Sequence, residues 1–260
     1  MNLVADGTTE ERLPINIGVD VGQITDPTAI CVSEVHQVDK GKVRFTGKPT
    51  LGHHDARGQW VAPTGMKPVL KSEYIVRYIK RLPLGTSYPD VAKYISSMLD
   101  NPLFVNRKIR LLIDVTGVGR PVYDDLKYEI SLNRHTNHKL QITPGGPIWV
   151  STDRKQIIQI KPITFLYGET YNRNKGILGK KFLVSRTQSL LQNRRIHGPD
   201  TPEMKATTDE LLVYEIKVSD EGTATFGAKT GKHDDLATSL ALSCLEDPYA
   251  ESVELSERMY

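Results

Sequence analysis

Three groups of aspartates sit where a short apolar run gives way to a turn or a helix. Asp20 ends INIGV, Asp114 ends IRLLI, and the pair Asp234-Asp235 opens DDLATSLALS. Open α/β sheets gather functional groups outside the carboxyl ends of their strands, so Asp20 and Asp114 on neighbouring strands would converge there. A helix docked across the sheet would bring Asp234 or Asp235 to the same point. Carboxylates this close repel one another and do not all stay ionised unless a cation neutralises them. Hard oxygen donors of this kind suit Mg2+ or Mn2+, which keep several waters and accept phosphate oxygens as further ligands. Two such ions about 3.5–4 Å apart activate a water on one side of a phosphodiester and stabilise the leaving 3′ oxygen on the other. The same residues also have plainer uses. Asp20 and Asp26 suit turns, Asp114 suits an Asx-type turn into TGVG, and Asp234 or Asp235 suits the positive end of a helix dipole.

The elements that must position these acids follow from apolar periodicity and turn residues. Ile15–Val19 and Ala29–Val35 flank the turn-prone GQITDPT and predict a hairpin. A third strand is expected at Lys42–Phe45 and a fourth over Ser72–Leu82, with LGHHDARGQWVAPTGMKP between them as an exposed loop or hairpin tip. Pro89-Asp90 opens a predicted helix running from Asp90 to Leu99, which Asn101-Pro102 ends. Ile109–Ile113 is continuous enough in apolar residues for a strand buried on both faces. Gly117 and Gly119 then turn the chain into a helix over Val122–Ile130, with Pro121 in its first turn. Short strands are expected at Lys139–Thr143 and Ile148–Val150 around PGGP, then a helix over Lys181–Asn193 and a weaker one over Glu203–Leu212. Glu215–Val218 and Thr223–Phe226 predict a hairpin, and His233 to about Glu246 a last helix with Leu236, Leu240, Ala241 and Cys244 on one stripe.

A chain of 260 residues with 38% hydrophobic content can bury one sizeable core. No apolar run approaches the length of a membrane span, and the polar, acidic MNLVADGTTEERLP is unlike a signal sequence, so an intracellular protein is expected. Cys31 and Cys244, each inside an apolar run, are expected as buried free thiols rather than a disulfide framework. His53-His54-Asp55 lacks the spaced partner of a zinc site, and His233 beside the acid pair suits a local role in orienting a carboxylate or a water. The net charge is only +3, but it is segregated: no acid falls between Glu169 and Asp200, where Arg173, Lys175, Lys180, Lys181, Arg186, Arg194 and Arg195 all lie. Such a stretch suits a phosphate backbone, or else a solvated face balanced by acids from elsewhere.

The motifs IGVDVGQITDPTAICV, LLIDVTGVGRPVYDDL and ATFGAKTGKHDDLATSLALS, in that order, resemble the nuclease domain of tailed-virus terminase large subunits, a branch of the RNase H-like superfamily that includes RuvC-type resolvases. RLPLGTSYPDV and FLVSRTQSLLQNRRI are similar to intervening segments, so the resemblance covers nearly the whole chain. It implies an α/β fold, an RNase H-like mixed central β-sheet flanked by α-helices, over 15–247, with a flexible lead-in over 1–14 and an acidic tail over 248–260. It implies metal ligands at Asp20, Asp114 and the Asp234-Asp235 pair, without saying which of the two ligates directly, and Asp26 as a supporting acid. The implied activity is a two-metal-ion endonuclease that cuts double-stranded concatemeric viral DNA during packaging with little sequence preference. DNA contacts would then come from Lys180, Lys181, Arg186, Arg194 and Arg195, with Lys229 and Lys232 beside the site. The implied setting is the cytoplasm of an infected or lysogenic host, with a small terminase subunit and portal as partners and no membrane.

One departure qualifies this. A terminase motor carries a G-x4-G-K-[ST] loop, and no segment here fits it: the Gly-Lys pairs at 41–42, 47–48, 179–180 and 231–232 are followed by Val, Pro, Lys and His. The ATPase motor is therefore expected from a separate partner. A RuvC-like junction resolvase and a catalytically silent DNA-binding or assembly module share the fold and stand as alternatives. An ATPase of the actin and sugar-kinase kind would need two such halves, and only one is present.

Overall fold

In a computed structural model, the structure describes residues 13–22, 26–45, 53–54, 57–58, 60–61, 66–132, 138–143, 146–212, 214–218, 224–228 and 234–249. In chain order the elements are β1 (Ile15–Asp20), β2 (Ala29–Phe45), β3 (His53–His54), β4 (Trp60–Val61), β5 (Met66–Arg81), α1 (Tyr88–Leu99), β6 (Lys108–Asp114) and α2 (Gly119–Leu132). Next come β7 (His138–Thr143), β8 (Gly146–Ser151), β9 (Gln156–Leu166), β10 (Tyr171–Asn172), β11 (Ile177–Gly179) and α3 (Lys180–Gln192). The chain continues through β12 (Ile196–His197), α4 (Pro202–Leu212), β13 (Tyr214–Val218), β14 (Ala224–Ala228) and α5 (Asp235–Ser243). The described residues form a ten-stranded mixed sheet with the path β10-β11-β9-β6-β1-β2-β5-β12, to which β7 and β8 join on the outer edge of β9. β1, β6 and β9 run parallel, β2 is antiparallel to both β1 and β5, and β12 pairs parallel with β5.

The two-residue alternation of a strand assigns the faces. Ile15, Ile17 and Val19 of β1, with Ile109, Leu111 and Ile113 of β6, pack against Val91, Ile95 and Leu99 of α1 and Val122, Leu126 and Ile130 of α2. The intervening positions, Asn16, Gly18 and Asp20 on β1 and Arg110, Leu112 and Asp114 on β6, therefore belong to the opposite face. α5 lies there, antiparallel to β1, and Gly18 is what lets it approach. A Cβ at that position would stand 2.1 Å from the Ser239 carbonyl oxygen and 2.5 Å from the Ser243 nitrogen.

Several expectations change in the folded chain. The strands expected at 29–35 and 42–45 are one 17-residue strand, β2, and β5 begins at Met66, so the two form a single long ribbon. α5 does not carry one apolar stripe. Leu236, Ala237, Ser239, Leu240, Ala241, Leu242 and Ser243 are all buried, because the helix is wedged between the β2–β5 ribbon and the β6–β9 side of the sheet. The strand β9 is absent from the sequence reading, since Pro162 interrupts its apolar pattern. Pro162 is tolerated because it falls where the outer edge of β9 changes partner. β8 pairs as far as Gln159, β11 begins opposite Thr164, and the Thr164 N–H bonds outward to the Gly176 carbonyl. Two residues earlier, the nitrogen of Pro162 faces that same edge, where no donor is required. Cys31 and Cys244 are buried and free. Among the described residues no helix is long and apolar enough to cross a membrane.

Candidate metal centre

Asp20 and Asp114 stand at the carboxyl ends of adjacent parallel strands, on the face where α5 packs, and α5 starts beside them with Asp234 as its N-cap residue. Asp20 bears the marks of this crowding. Burial, and then the charges of Asp114, Asp234 and Asp235, push its carboxyl well above the usual carboxylate range. Asp114 is also raised by burial, opposed by its bonds from Thr116 and by the Lys180 ammonium. Sequence-distant acids are thus brought within electrostatic reach of one another by parallel strand pairing and by a helix laid against it.

The turn after β6 holds Asp114 in place. The Thr116 N–H donates to Asp114 Oδ1 at 2.7 Å, so the Asx-type turn is formed by the same residue that faces the centre. The Thr116 hydroxyl in turn accepts from the Phe165 N–H at 2.8 Å, tying this loop to β9. Gly117, at φ +66, makes the turn, a conformation that costs glycine little. Asp235 is placed differently from Asp234. It is buried, and Arg81 at the end of β5 donates to it from Nε at 2.5 Å and from Nη2 at 3.3 Å. Arg81 also pairs with Glu210 of α4, whose other oxygen accepts the Ala237 N–H at 2.8 Å.

Among the described residues no group of three or more His, Cys, Asp or Glu side chains stands close enough together to hold an ion. The donor types suit a hard divalent cation: carboxylates share the open end of the sheet, and the charges of Asp114, Asp234 and Asp235 all bear on Asp20. Asp26 is exposed in the loop after β1.

The basic stretch divides. Lys180, the first residue of α3, is exposed, its charge bears on both Asp20 and Asp114, and its Nζ lies 5.5 Å from the centre of the Phe165 ring. Arg194 is exposed just past α3. Lys181 pairs with Glu169, and Arg173 approaches Glu246, so acids from outside the stretch answer part of its charge. Arg186 donates to the Cys244 carbonyl and to the Tyr74 hydroxyl, both at 2.9 Å, and Arg195 donates to the Ser72 carbonyl at 2.7 Å. These two arginines, expected in sequence among the DNA contacts, also fasten α3 and β12 to the sheet. Lys229, Lys232 and His233 lie outside the described residues, as do the side chains of His53 and His54. Glu210 and Arg81 carry no signal in sequence, because a single acid within a helix and a single base in a strand are ordinarily solvated, and only the fold brings them to Asp235 and Ala237.

No family model matches the chain, and no curated protein matches it significantly in sequence. Among solved structures it is similar to the large terminase nuclease from thermophilic phage G20c, with a TM-score of 0.51 at 15% identity over 92% of this chain and 82% of that one. The same nuclease with bound magnesium and with bound cobalt gives TM-scores of 0.50 at 14% identity, over 90% of this chain and 82% and 81% of those. At such identities the likeness is one of fold, and the chain has the RNase H-like architecture of a large-terminase nuclease.

Proposed function

We propose that the chain is a metal-dependent endonuclease that hydrolyses double-stranded DNA with little sequence preference, acting as the cutting part of a viral DNA-packaging terminase. The observation that carries this reading is the meeting of Asp20, Asp114 and the Asp234-Asp235 pair at the carboxyl ends of β1 and β6. Asp20, Asp114 and one or both α5 acids would hold Mg2+ or Mn2+, and the G20c nuclease of the same fold is described with bound magnesium. Two bound ions would supply an activated water and stabilisation of the leaving 3′ oxygen. The chain's own contribution is positioning. Thr116 orients Asp114, α5 fixes the third acid, and Lys180 stands beside the carboxylates where a phosphodiester must approach. Lys180, Lys181 and Arg194 are the backbone contacts this surface favours. Lys229 and Lys232 stand as further candidates from sequence, and Arg186 and Arg195 contribute chiefly through the fold. In packaging, this cutting part would work with an ATPase motor, a small subunit and a portal.

The test is to incubate the chain with supercoiled plasmid and Mn2+, with and without EDTA, beside Asp20→Ala and Asp114→Ala. Nicking and linearisation by the wild type alone, abolished by EDTA, is the expected outcome. Intact plasmid throughout, or equal cutting by all three proteins, would overturn the reading. Cutting confined to four-way junctions would redirect it to a resolvase.

A further inference from the structure

Among the described residues, β2 and β5 run past the rest of the sheet. Ile15 of β1 pairs with Glu34 and Pro14 accepts the Val35 N–H, so β1 accompanies β2 no further. β12 covers the other strand only at Tyr74 and Ile75. Residues 37–45 and 66–72 therefore pair with each other alone, from Gln37 opposite Ser72 to Phe45 opposite Met66. At about 3.3 Å per residue this free ribbon is about 30 Å long. Its register shifts between Asp39 and Val43, an irregularity of the kind that adds to the right-handed twist of paired strands. Open strand edges are commonly guarded against stray pairing by charge. Guarding does not require one sign, yet residues 37–71 hold seven Lys or Arg against only Asp39 and Asp55, a net +5 in a chain whose total is +3. Arg44 and Lys67 even occupy directly opposed register positions. Like charges placed across a ribbon oppose its pairing unless an anion lies against them.

We infer that the free end of the β2–β5 ribbon is a second DNA-contact site, which lies in the major groove of a duplex. The inference rests on the nuclease reading above for its ligand and adds a place on the molecule that the candidate metal centre does not include. A two-stranded ribbon fits the major groove, about 12 Å wide, whereas the minor groove is only about 6 Å wide. The ribbon's length is also close to one helical turn of DNA, about 34 Å. Asp20 pairs with Ala29, and the ribbon begins eight residues further along β2, so it starts about 25 Å from the metal centre. A duplex lying across that centre would meet the ribbon about one turn away from the scissile bond. Lysines and arginines there would take phosphates on the groove walls, contacts that hold the duplex in place without reading its sequence.

The experiment follows binding of the full chain to a duplex of about three helical turns by fluorescence anisotropy at several salt concentrations. EDTA is present throughout, so that binding is read apart from cutting. One variant combines Lys40→Ala, Lys42→Ala, Arg44→Ala and Lys67→Ala, and a second keeps the charge with Lys40→Arg, Lys42→Arg, Arg44→Lys and Lys67→Arg. The neutral variant is expected to melt as the wild type does and to bind more weakly, its salt slope flattened by about 3–4, because each lost phosphate contact removes about 0.9. The charge-keeping variant should retain the wild-type slope. If the neutral variant melts lower, Lys40→Ala with Lys42→Ala decides instead, with the slope flattened by about 2. Duplex whose cytosines carry glucosylated hydroxymethyl groups has a filled major groove and should bind the wild type no better than the neutral variant. Distamycin, which fills the minor groove, should leave the difference between them in place. Wild-type slope and affinity in the neutral variants would overturn the inference, as would a difference that distamycin removes and glucosylation does not. A wild type that shows the expected binding differences but cuts no plasmid in Mn2+ would sink the nuclease reading and support this one. Metal-dependent cutting with no effect of ribbon charge on binding does the opposite.

Discussion

The two ends of α5 solve the problem of buried acid in opposite ways. At its start, Asp20, Asp114, Asp234 and Asp235 converge, and burial together with mutual repulsion pushes Asp20 up. Just past its end, Glu246 is fully buried alone among bases and donors: Lys161 Nζ at 2.8 and 2.9 Å, the Tyr171 hydroxyl at 2.6 Å, Arg173 at 3.7 Å and Arg110 at 3.9 Å. There the surrounding positive charge, Lys161 first, overcomes the burial that would raise the carboxyl, and Glu246 is held below the usual glutamate range. Its carbonyl also accepts from Asn16 of β1 at 2.8 Å, pinning the chain beyond α5 to the sheet. One end of the helix is electrostatically complete, and the other is left for something positive to complete. The contrast teaches that burial alone does not set the sign of a carboxyl's shift, since bases around Glu246 reverse it and acids around Asp20 add to it.

The sharpest way to break the comparison is Glu246→Gln. It would leave Lys161 buried without its counter-charge, a change worth about 3–5 kcal/mol of stability, measured by urea unfolding. The acid dependence should change with it. Because Glu246 binds its proton less readily when folded, it contributes stability above the ordinary glutamate pKa that is lost as pH falls through its lower folded value. The variant should lose that part of the acid limb, and an unchanged profile would show that Glu246 is not anchored as described. At the opposite end, Mn2+ at about 100 times its Kd should raise wild-type stability by about 2.7 kcal/mol, a gain absent from Asp114→Asn. Gly18→Ala tests the middle of the helix. Its methyl group would collide with α5 backbone, costing about 1–3 kcal/mol and weakening Mn2+ binding by displacing the helix that carries Asp234. The smallest effect is expected of Lys180→Ala, with the melting temperature unchanged and the salt slope of DNA binding reduced by about one. An unaltered slope would remove Lys180 from the DNA surface.

Much of the site was legible because it lies where patterns end. An apolar run terminating in aspartate marks a strand end and so places Asp20 and Asp114, while Pro89-Asp90, the turn at Gly117 and Gly119, and the paired β-rich runs mark α1, α2 and the β13–β14 hairpin. β9 was not, since Pro162 in its middle argues against a strand unless the pairing on either side is known. That Arg186 and Arg195 also hold the fold together was not legible, because charge density along a chain does not reveal which donors find carbonyls such as those of Cys244 and Ser72.

What the sequence by itself determined was the candidate acids and the order of strand, turn and helix around them, both of which depend on local residue types and periodicity. Only the tertiary structure decided that Arg81 holds Asp235, that Glu210 accepts the Ala237 N–H of α5, and that Glu246 is buried among donors just past the helix. Those distinctions rest on contacts between residues from distant elements, such as Arg81 with Asp235 and Lys161 with Glu246, and burial and pairing of charge are properties of the packed chain rather than of any stretch of it.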